Sequence, residues 1–257
     1  VQARIARLSR QADWSALDPR GSGGVVGTAH GVMRPDGRWF VSIDTWHPPV
    51  FDALLEAVDT DLKGPLFVRA DEADDITAWL AAGFTVARRE ELLALPTDPG
   101  VTGLPDGPPP AGLALVAADE VDPALLRTLD DELRQDVPGS AGWCNDPDEF
   151  REYTFAEWHF DPSLYLVAVD ARLERFAGLV RVWIEPGGPR LGLIAVSRSY
   201  RRLGLARSML GTVFGRLHAR GVASVVAEVD VTNAASRSLL AGVGAMRTGG
   251  AVELRRP

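Results

Sequence analysis

The chain has 257 residues, 46% of them hydrophobic, and its 27 basic and 35 acidic side chains give a formal charge of −8. That length and apolar content can fill one large domain or two modest ones, whereas the acidic balance argues against general affinity for nucleic acid or an anionic membrane. Cys144, the single cysteine, excludes an intramolecular disulfide framework and any all-cysteine metal site.

In the first half, residues 39–43 are predicted as a strand, 50–58 as a helix, 65–68 as a strand, 74–82 as a helix, and 85–95 as a terminal strand or hairpin. The acidic run at 71–75 suits a helix start, where it complements the dipole. Residues 96–112, PTDPGVTGLPDGPPPAG, have the composition of an extended linker. Beyond it, 113–117 reads as a strand. A helix follows from Asp122, with Pro123 at a tolerated first-turn position and Leu125, Leu126, Leu129 and Leu133 on one side. A second helix is expected over 148–158, then strands over 164–169, 176–184 and 191–196. Ala206, Met209, Leu210, Val213, Phe214 and Leu217 trace the apolar face of a further helix, which Gly221 ends. A buried strand at 222–229, a short helix at 234–243 and strand material at 246–254 complete the chain. The order β-α-α-β-β-β-α-β-α-β implies an α/β (α+β) fold, a mixed sheet covered by helices. Setting Gly83-Phe84 against Gly244-Ala245 puts Trp79 opposite Leu240 and brings 66–68 close to 225–227. That is the pattern of an internal duplication with a truncated first copy, or of chance similarity between two α/β segments.

The stretch 191–217, LGLIAVSRSYRRLGLARSMLGTVFGRL, joins a strand to an amphipathic helix through a turn bearing Arg and Gly. Such a turn aims free backbone N–H groups and the positive helix end at an anion such as a pyrophosphate. No Gly-Lys-Ser/Thr P-loop is present, which argues against an NTPase. The four histidines are dispersed and lack zinc-ligand spacing, so no metal is expected. No apolar run approaches the ~20 residues that span a bilayer and no apolar signal core opens the chain, so a soluble cytoplasmic protein is expected, without membrane or nucleic-acid partners. Lys63 is the only lysine, which reads as the coding bias of a GC-rich bacterial genome.

Over 113–254 these residues resemble the GCN5-related N-acetyltransferases. The family's acyl-CoA signature, Gln/Arg-x-x-Gly-x-Gly/Ala, is matched by Arg201-Arg202-Leu203-Gly204-Leu205-Ala206, and a second pattern by Asn233, Ser236, Leu239-Leu240 and Gly244-Ala245 at the family's spacing. The resemblance implies a mostly antiparallel mixed sheet flanked by helices, preceded by a partial copy of the same fold, and acetyl-CoA as cosubstrate. It divides the chain into a degenerate domain at 1–96, a linker at 97–112 and a complete acetyltransferase domain at 113–257, a tandem arrangement known among bacterial members. It assigns the amides from Arg202 to Arg207 to the diphosphate, with Arg201 and Arg202 adding charge. Ile194, Ala195 and Val196 fall on the strand that splays from its neighbour, where Ile194 and Val196 are the candidates to pair with the pantetheine arm. Asn233, with Ser236, is carried over as a polar contact near that arm, and a plain helix N-cap is the alternative for Asn233. The first half lacks the glycine turn, because Thr45-Trp46-His47-Pro48-Pro49 occupies its place, so it is expected to bind no acyl-CoA.

Acetyl transfer to an amine needs the amine neutral, the carbonyl polarised and the thiolate stabilised or protonated. The family's usual Tyr acid falls at Leu240 and its usual Glu base at Arg190, so both are replaced. Positioning alone removes much of the barrier. The remaining candidates for proton handling are Glu228, Glu185 and His159; a solvated surface acid and a packed histidine are the alternatives for Glu228 and His159. Asp131, Glu132 and Asp136 either render the cleft acidic or form a helix's exposed face. The sequence points to an acetyl-CoA-dependent N-acetyltransferase of a small-molecule amine, with a homodimer left open. A catalytically weak acyl-CoA sensor is the alternative.

Overall fold

The computed structural model describes residues 3–8, 10–18, 24–45, 47–105, 107–156 and 158–257. The chain divides into two compact units, 1–89 with 251–257, and 90–250. Among the described residues no helix is long and apolar enough to cross a membrane.

In the first unit, strands β1 (Ala3–Leu8), β2 (Gln11–Leu17), β3 (Val25–Met33) and β4 (Trp39–Asp44) form an antiparallel meander. Helix α1 (Pro48–Asp61) then carries the chain to β5 (Leu66–Ala70), which lies parallel to β4. Helix α2 (Ala73–Ala81) leads on to β6 (Thr85–Pro96). The strand beside β5 is the end of the chain: Val252 to Arg256 pair antiparallel with Ala70 to Leu66. A buried carboxylate fixes that strand, since Glu253 accepts from Arg38 Nη1 at 3.1 Å and Arg88 Nε at 2.9 Å. The core gathers Trp14, Leu54, Val58, Trp79, Phe84 and Leu254. The first three strands carry no sequence signal strong enough to be predicted; β2 and β3 alternate buried and exposed positions, but with Ala, Gly, Ser and Asp among them. Trp46 of the expected turn lies outside the described residues.

The second unit orders its strands β7 (Leu113–Ala117), β8 (Tyr165–Asp170), β9 (Arg175–Glu185), β10 (Gly188–Val196), β11 (Ser224–Asp230) and residues 90–96 of β6. All pairs are antiparallel except β10 with β11. Helices α6 (Leu205–Ala219) and α7 (Ala234–Ala241) cover one face, with Met209, Leu210, Val213, Phe214 and Leu240 packed against Val180, Val182, Val225 and Ala227. Helix α4 (Pro123–Arg134) covers the other, where Leu126, Leu129 and Leu133 meet Leu179, Trp183 and Leu193. The three- and four-residue spacing of those leucines puts them on one stripe; Leu125, expected with them, turns outward and is 55% exposed. Asp122 caps α4 by accepting from the amides of Ala124 and Leu125. The helix expected at 148–158 is a short α5 (Pro147–Arg151) running into one π-helical turn (Glu152–Ala156). The last strand, β12 (Met246–Arg256), begins in this unit and ends in the first.

Of the proline-rich stretch 97–112, read from composition as an extended linker, residues 97–105 instead lie on the second unit as a strap. Thr97 starts it by donating its Oγ1 to Val222 O. A single turn, α3 (Pro99–Thr102), is capped by Asp98 and closes at Gly103. Leu104 beyond it is buried in the core beside α6. Proline density limits regular hydrogen bonding but not packing: Thr97, Thr102 and Leu104 are buried while Pro99, Pro105 and Pro108 stay exposed.

Candidate functional site

Strands β10 and β11 pair through only two positions, Arg190 with Val226 and Leu191 with Ala227. A bulge at Gly192 then bends β10, which stays paired with β9 as far as Val196. Ser197 N donates to Ala177 O at 2.9 Å, so in this antiparallel register Leu193 and Ala195 turn their backbone groups to β9. Ile194 and Val196 turn theirs to the opposite edge, along the gap that β11 leaves. Arg201 Nε donates to Val196 O at 2.9 Å, which leaves the Val196 N–H and both Ile194 groups lining that gap. Of the three expected residues, then, Ala195 contributes no backbone group there.

The gap opens onto the turn before α6. Gly204 is the N-cap of α6 at φ +85°, and Arg202 also takes a left-handed φ of +64°. No side chain caps this helix and its first turn holds no acid, so the amides of Leu205, Ala206 and Arg207 face outward unopposed. Nothing lies within 4 Å of where a Gly204 side chain would begin. A diphosphate needs such a cradle: several convergent N–H donors, a positive helix end and no competing anion. The arrangement of Arg201 to Arg207 therefore fits the acyl-CoA diphosphate through its backbone.

The arginine side chains divide differently from the expected pairing of Arg201 and Arg202 with the diphosphate. Arg201 and Arg198 both grip Asp136, with Arg201 Nη2 to Oδ2 at 2.6 Å and Arg198 Nη2 to Oδ1 at 2.5 Å. Their hydrogen bonds hold the Asp136 carboxyl well below the usual carboxylate range. Arg207 reaches back to Gly103 O at 2.6 Å and Gly242 O at 3.3 Å. Arg202 remains exposed beside the loop, and so does Leu203. Asn233 is the N-cap of α7, its Oδ1 accepting from Ser236 N at 3.1 Å. That is the capping geometry held open for it, and it engages Ser236 through the backbone.

At the closed end of the gap, on the face toward α4, stand Trp183, Arg190 and Glu228. Alternation places Glu228 opposite the buried Ala227 and Val229. Arg190 Nε donates to Glu185 Oε1 at 2.7 Å, and its Nη1 lies 4.0 Å from Glu228 Oε2. The position at which the resemblance leads us to expect a basic Glu is an arginine set between two glutamates. His159 is buried in an aromatic cluster, 4.4 Å edge-on to Trp183 and bonded through Nε2 to Tyr153 O. It serves packing, with its ring nitrogen satisfied. Leu240 sits in the core at 3% exposure and packs with the helices.

Sequence reasoning missed a buried ionic cluster beneath this face. Asp130 accepts from Arg134 Nε at 2.7 Å and Arg181 Nη1 at 3.1 Å, and Asn145 Nδ2 adds 3.0 Å. Burial alone would raise the Asp130 carboxyl, but Arg181 and Arg134 together hold it below its ordinary value. Tyr165 lies beside them, its phenol pushed up to about 12 chiefly by burial. Asp131, one residue on, is raised by burial although Asn145 and Arg127 bond to it. The i, i+4 spacing of Asp130 and Arg134 was the available signal, but nothing in the sequence places Arg181 over them.

The sequence model of the acetyltransferase (GNAT) family matches residues 126–244. Mycothiol acetyltransferase of Clavibacter michiganensis subsp. michiganensis (strain NCPPB 382) is 30% identical over 236 residues, covering 88% of this chain and 70% of that protein. Among solved structures, a tandem GNAT protein from the clavulanic acid biosynthesis pathway superposes with a TM-score of 0.70 at 16% identity, over 96% of this chain and 82% of that one. A GCN5-related N-acetyltransferase from Sphaerobacter thermophilus gives 0.66 at 18% identity, over 96% and 80%. The two-pair ladder, the diverging strand edge and the uncapped glycine turn thus belong to a chain of the acetyltransferase (GNAT) family, an N-acetyltransferase with acetyl-CoA as cosubstrate.

Proposed function

We propose that this enzyme transfers the acetyl group directly to a small-molecule amine, with the site in the second unit. The observation that carries the proposal is the gap between β10 and β11, which ends at the α6 turn on one side and at Glu228 on the other. Acetyl-CoA supplies a thioester whose carbonyl carbon the amine nitrogen attacks with loss of the thiolate. The Ile194 and Val196 backbone groups hold the pantetheine arm, and the amides from Arg202 to Arg207 hold the diphosphate. Glu228, half-exposed on the α4 face, takes the proton from the amine nitrogen, and Arg190 steadies that carboxylate from 4.0 Å. Leu240 has no proton to give, so solvent protonates the departing thiolate; orientation and a polar backbone do the remaining work.

The chemistry falls to the half expected at 113–257, and 1–96 is a truncated copy of it. Both run four antiparallel strands, a helix, a parallel strand, a helix and a final strand. The first copy lacks the helical insert that separates β7 from β8. Its counterpart of α6 begins at Pro48-Pro49, and proline has no N–H to offer an anion. Release of free CoA with a panel of amines tests the reading. Amine-dependent release at a rate above hydrolysis is expected; tight binding without transfer to any amine would return the site to an acyl-CoA sensor.

A further inference from the structure

The geometry points to Arg207 as a positioning residue: a clamp that holds the first turn of α6 in place for the cosubstrate's diphosphate, by tying it to the strap at Gly103 and to the end of α7 at Gly242. This rests on the assignment of the diphosphate to the α6 turn. Arg207 is the third residue of α6, so its amide belongs to the cradle while its guanidinium points away from it. One fork arm donates to Gly103 O at 2.6 Å and the other to Gly242 O at 3.3 Å. Both carbonyls belong to residues that close helices, α3 and α7, where the last C=O groups lack helical partners and attract a cation. A rigid fork presents two donor nitrogens in fixed directions, one to each carbonyl, where a lysine has a single ammonium on a flexible stem.

The rest of the strap supports the same turn. One helical turn after Arg207, Gly211 lets the strap come so close that an added Cβ would lie 2.3 Å from Pro105 O. Leu104, between these two contacts, is buried in the core with Leu205, the first residue of α6. Beyond Gly211 the fit loosens into a cavity of about 200 Å³ lined by Leu104, Pro105, Phe214 and Gly215 among others. The close contacts between strap and helix are therefore concentrated at the end that presents the cradle. Since a cradle of amides works only when its donors converge, loosening that end weakens diphosphate binding without removing any phosphate ligand.

Calorimetric titration with CoA and hydrogen exchange at the amides of residues 205–208 test the clamp in the full chain. Arg207→Met is expected to weaken CoA about tenfold and to speed exchange at those amides. Arg207→Lys, which keeps the charge but not the fork, is expected to resemble it. Gly211→Ala, which leaves Arg207 intact and displaces the strap, is expected to shift both readouts in the same direction. Turnover with acetyl-pantetheine, which has no diphosphate, is expected to change less than that with acetyl-CoA. Wild-type affinity in Arg207→Lys, or weakened CoA binding with unchanged exchange, would make Arg207 a direct phosphate ligand and overturn the clamp. Unchanged affinity in Gly204→Val would instead overturn the diphosphate assignment beneath it; weakened Gly204→Val with wild-type Arg207→Met and Gly211→Ala would overturn the clamp alone.

Discussion

Replacing Gly215 with alanine should stabilise the second unit, and replacing Gly211, one turn earlier on the same helix, should not. Both positions lie inside α6, so each substitution gains the same helix propensity, about 1 kcal/mol for Gly to Ala. The surroundings decide the difference. Nothing lies within 4 Å of a Cβ at residue 215, which faces the cavity under the strap, whereas a Cβ at 211 would lie 2.3 Å from Pro105 O. An ordinary carbon–oxygen contact needs about 3.3 Å, so the strap must withdraw by about 1 Å, dragging on buried Leu104. Overpacking of that kind costs about 1–3 kcal/mol. The helix term cancels between the two variants, leaving Gly211→Ala about 1–3 kcal/mol below Gly215→Ala. At about 2–4 °C per kcal/mol for a unit of this size, thermal unfolding followed by circular dichroism resolves the gap. Equal midpoints, or a higher one for Gly211→Ala, would refute the close packing of strap on helix.

Three further outcomes follow from the site. Glu228→Gln should lower kcat by about a hundredfold with little change in the KM for acetyl-CoA, as expected for loss of a proton acceptor, and an unchanged kcat would remove Glu228 from the reaction. Leu240→Tyr should destabilise by about 1–3 kcal/mol in denaturant titration and bring no gain in CoA release, because residue 240 is in the core; a stable, faster variant would place it in the cleft. Asp130→Asn should cost about 3–5 kcal/mol at neutral pH by leaving Arg181 and Arg134 without their counter-charge. Because the folded Asp130 carboxyl lies below its ordinary 3.8, its stabilisation is complete above that value and is lost as pH falls beneath it. The wild type should therefore lose stability more steeply than the variant in that acid range, and parallel curves would contradict the buried pairing.

Elements with strong periodicity were legible: the apolar stripe of α6, the strands from β8 to β11, and the strand–glycine turn–helix order proposed as the diphosphate cradle. The reason is local, since a 3.6-residue stripe and a φ-positive glycine are set by neighbours in sequence. What depended on distant partners was not. β1 and β2 are short on branched and aromatic residues, β3 is interrupted by Gly27 and Gly31, and all three are held by their ladders. The strap looked like a linker because composition reports the absence of helix or strand and says nothing about the burial of Thr97, Thr102 and Leu104 between its prolines. The resemblance gave Arg201 a charge role at the diphosphate and Arg207 a backbone one, but their side chains go to Asp136, Gly103 and Gly242, between 35 and 104 residues away from them in sequence. Arg181 and Asp130, 51 residues apart, carry no shared signal at all.

Calorimetric titration of acetyl-CoA into the wild type and into Gly204→Val tests the diphosphate cradle most directly. A β-branched residue held at φ +85° costs about 1–2 kcal/mol of backbone strain, so the turn should relax away from its convergent geometry while the fold survives. Saturable binding in the wild type, weakened at least about tenfold in the variant, is the predicted result. Equal affinity in a folded Gly204→Val would place the cosubstrate's diphosphate somewhere other than the start of α6.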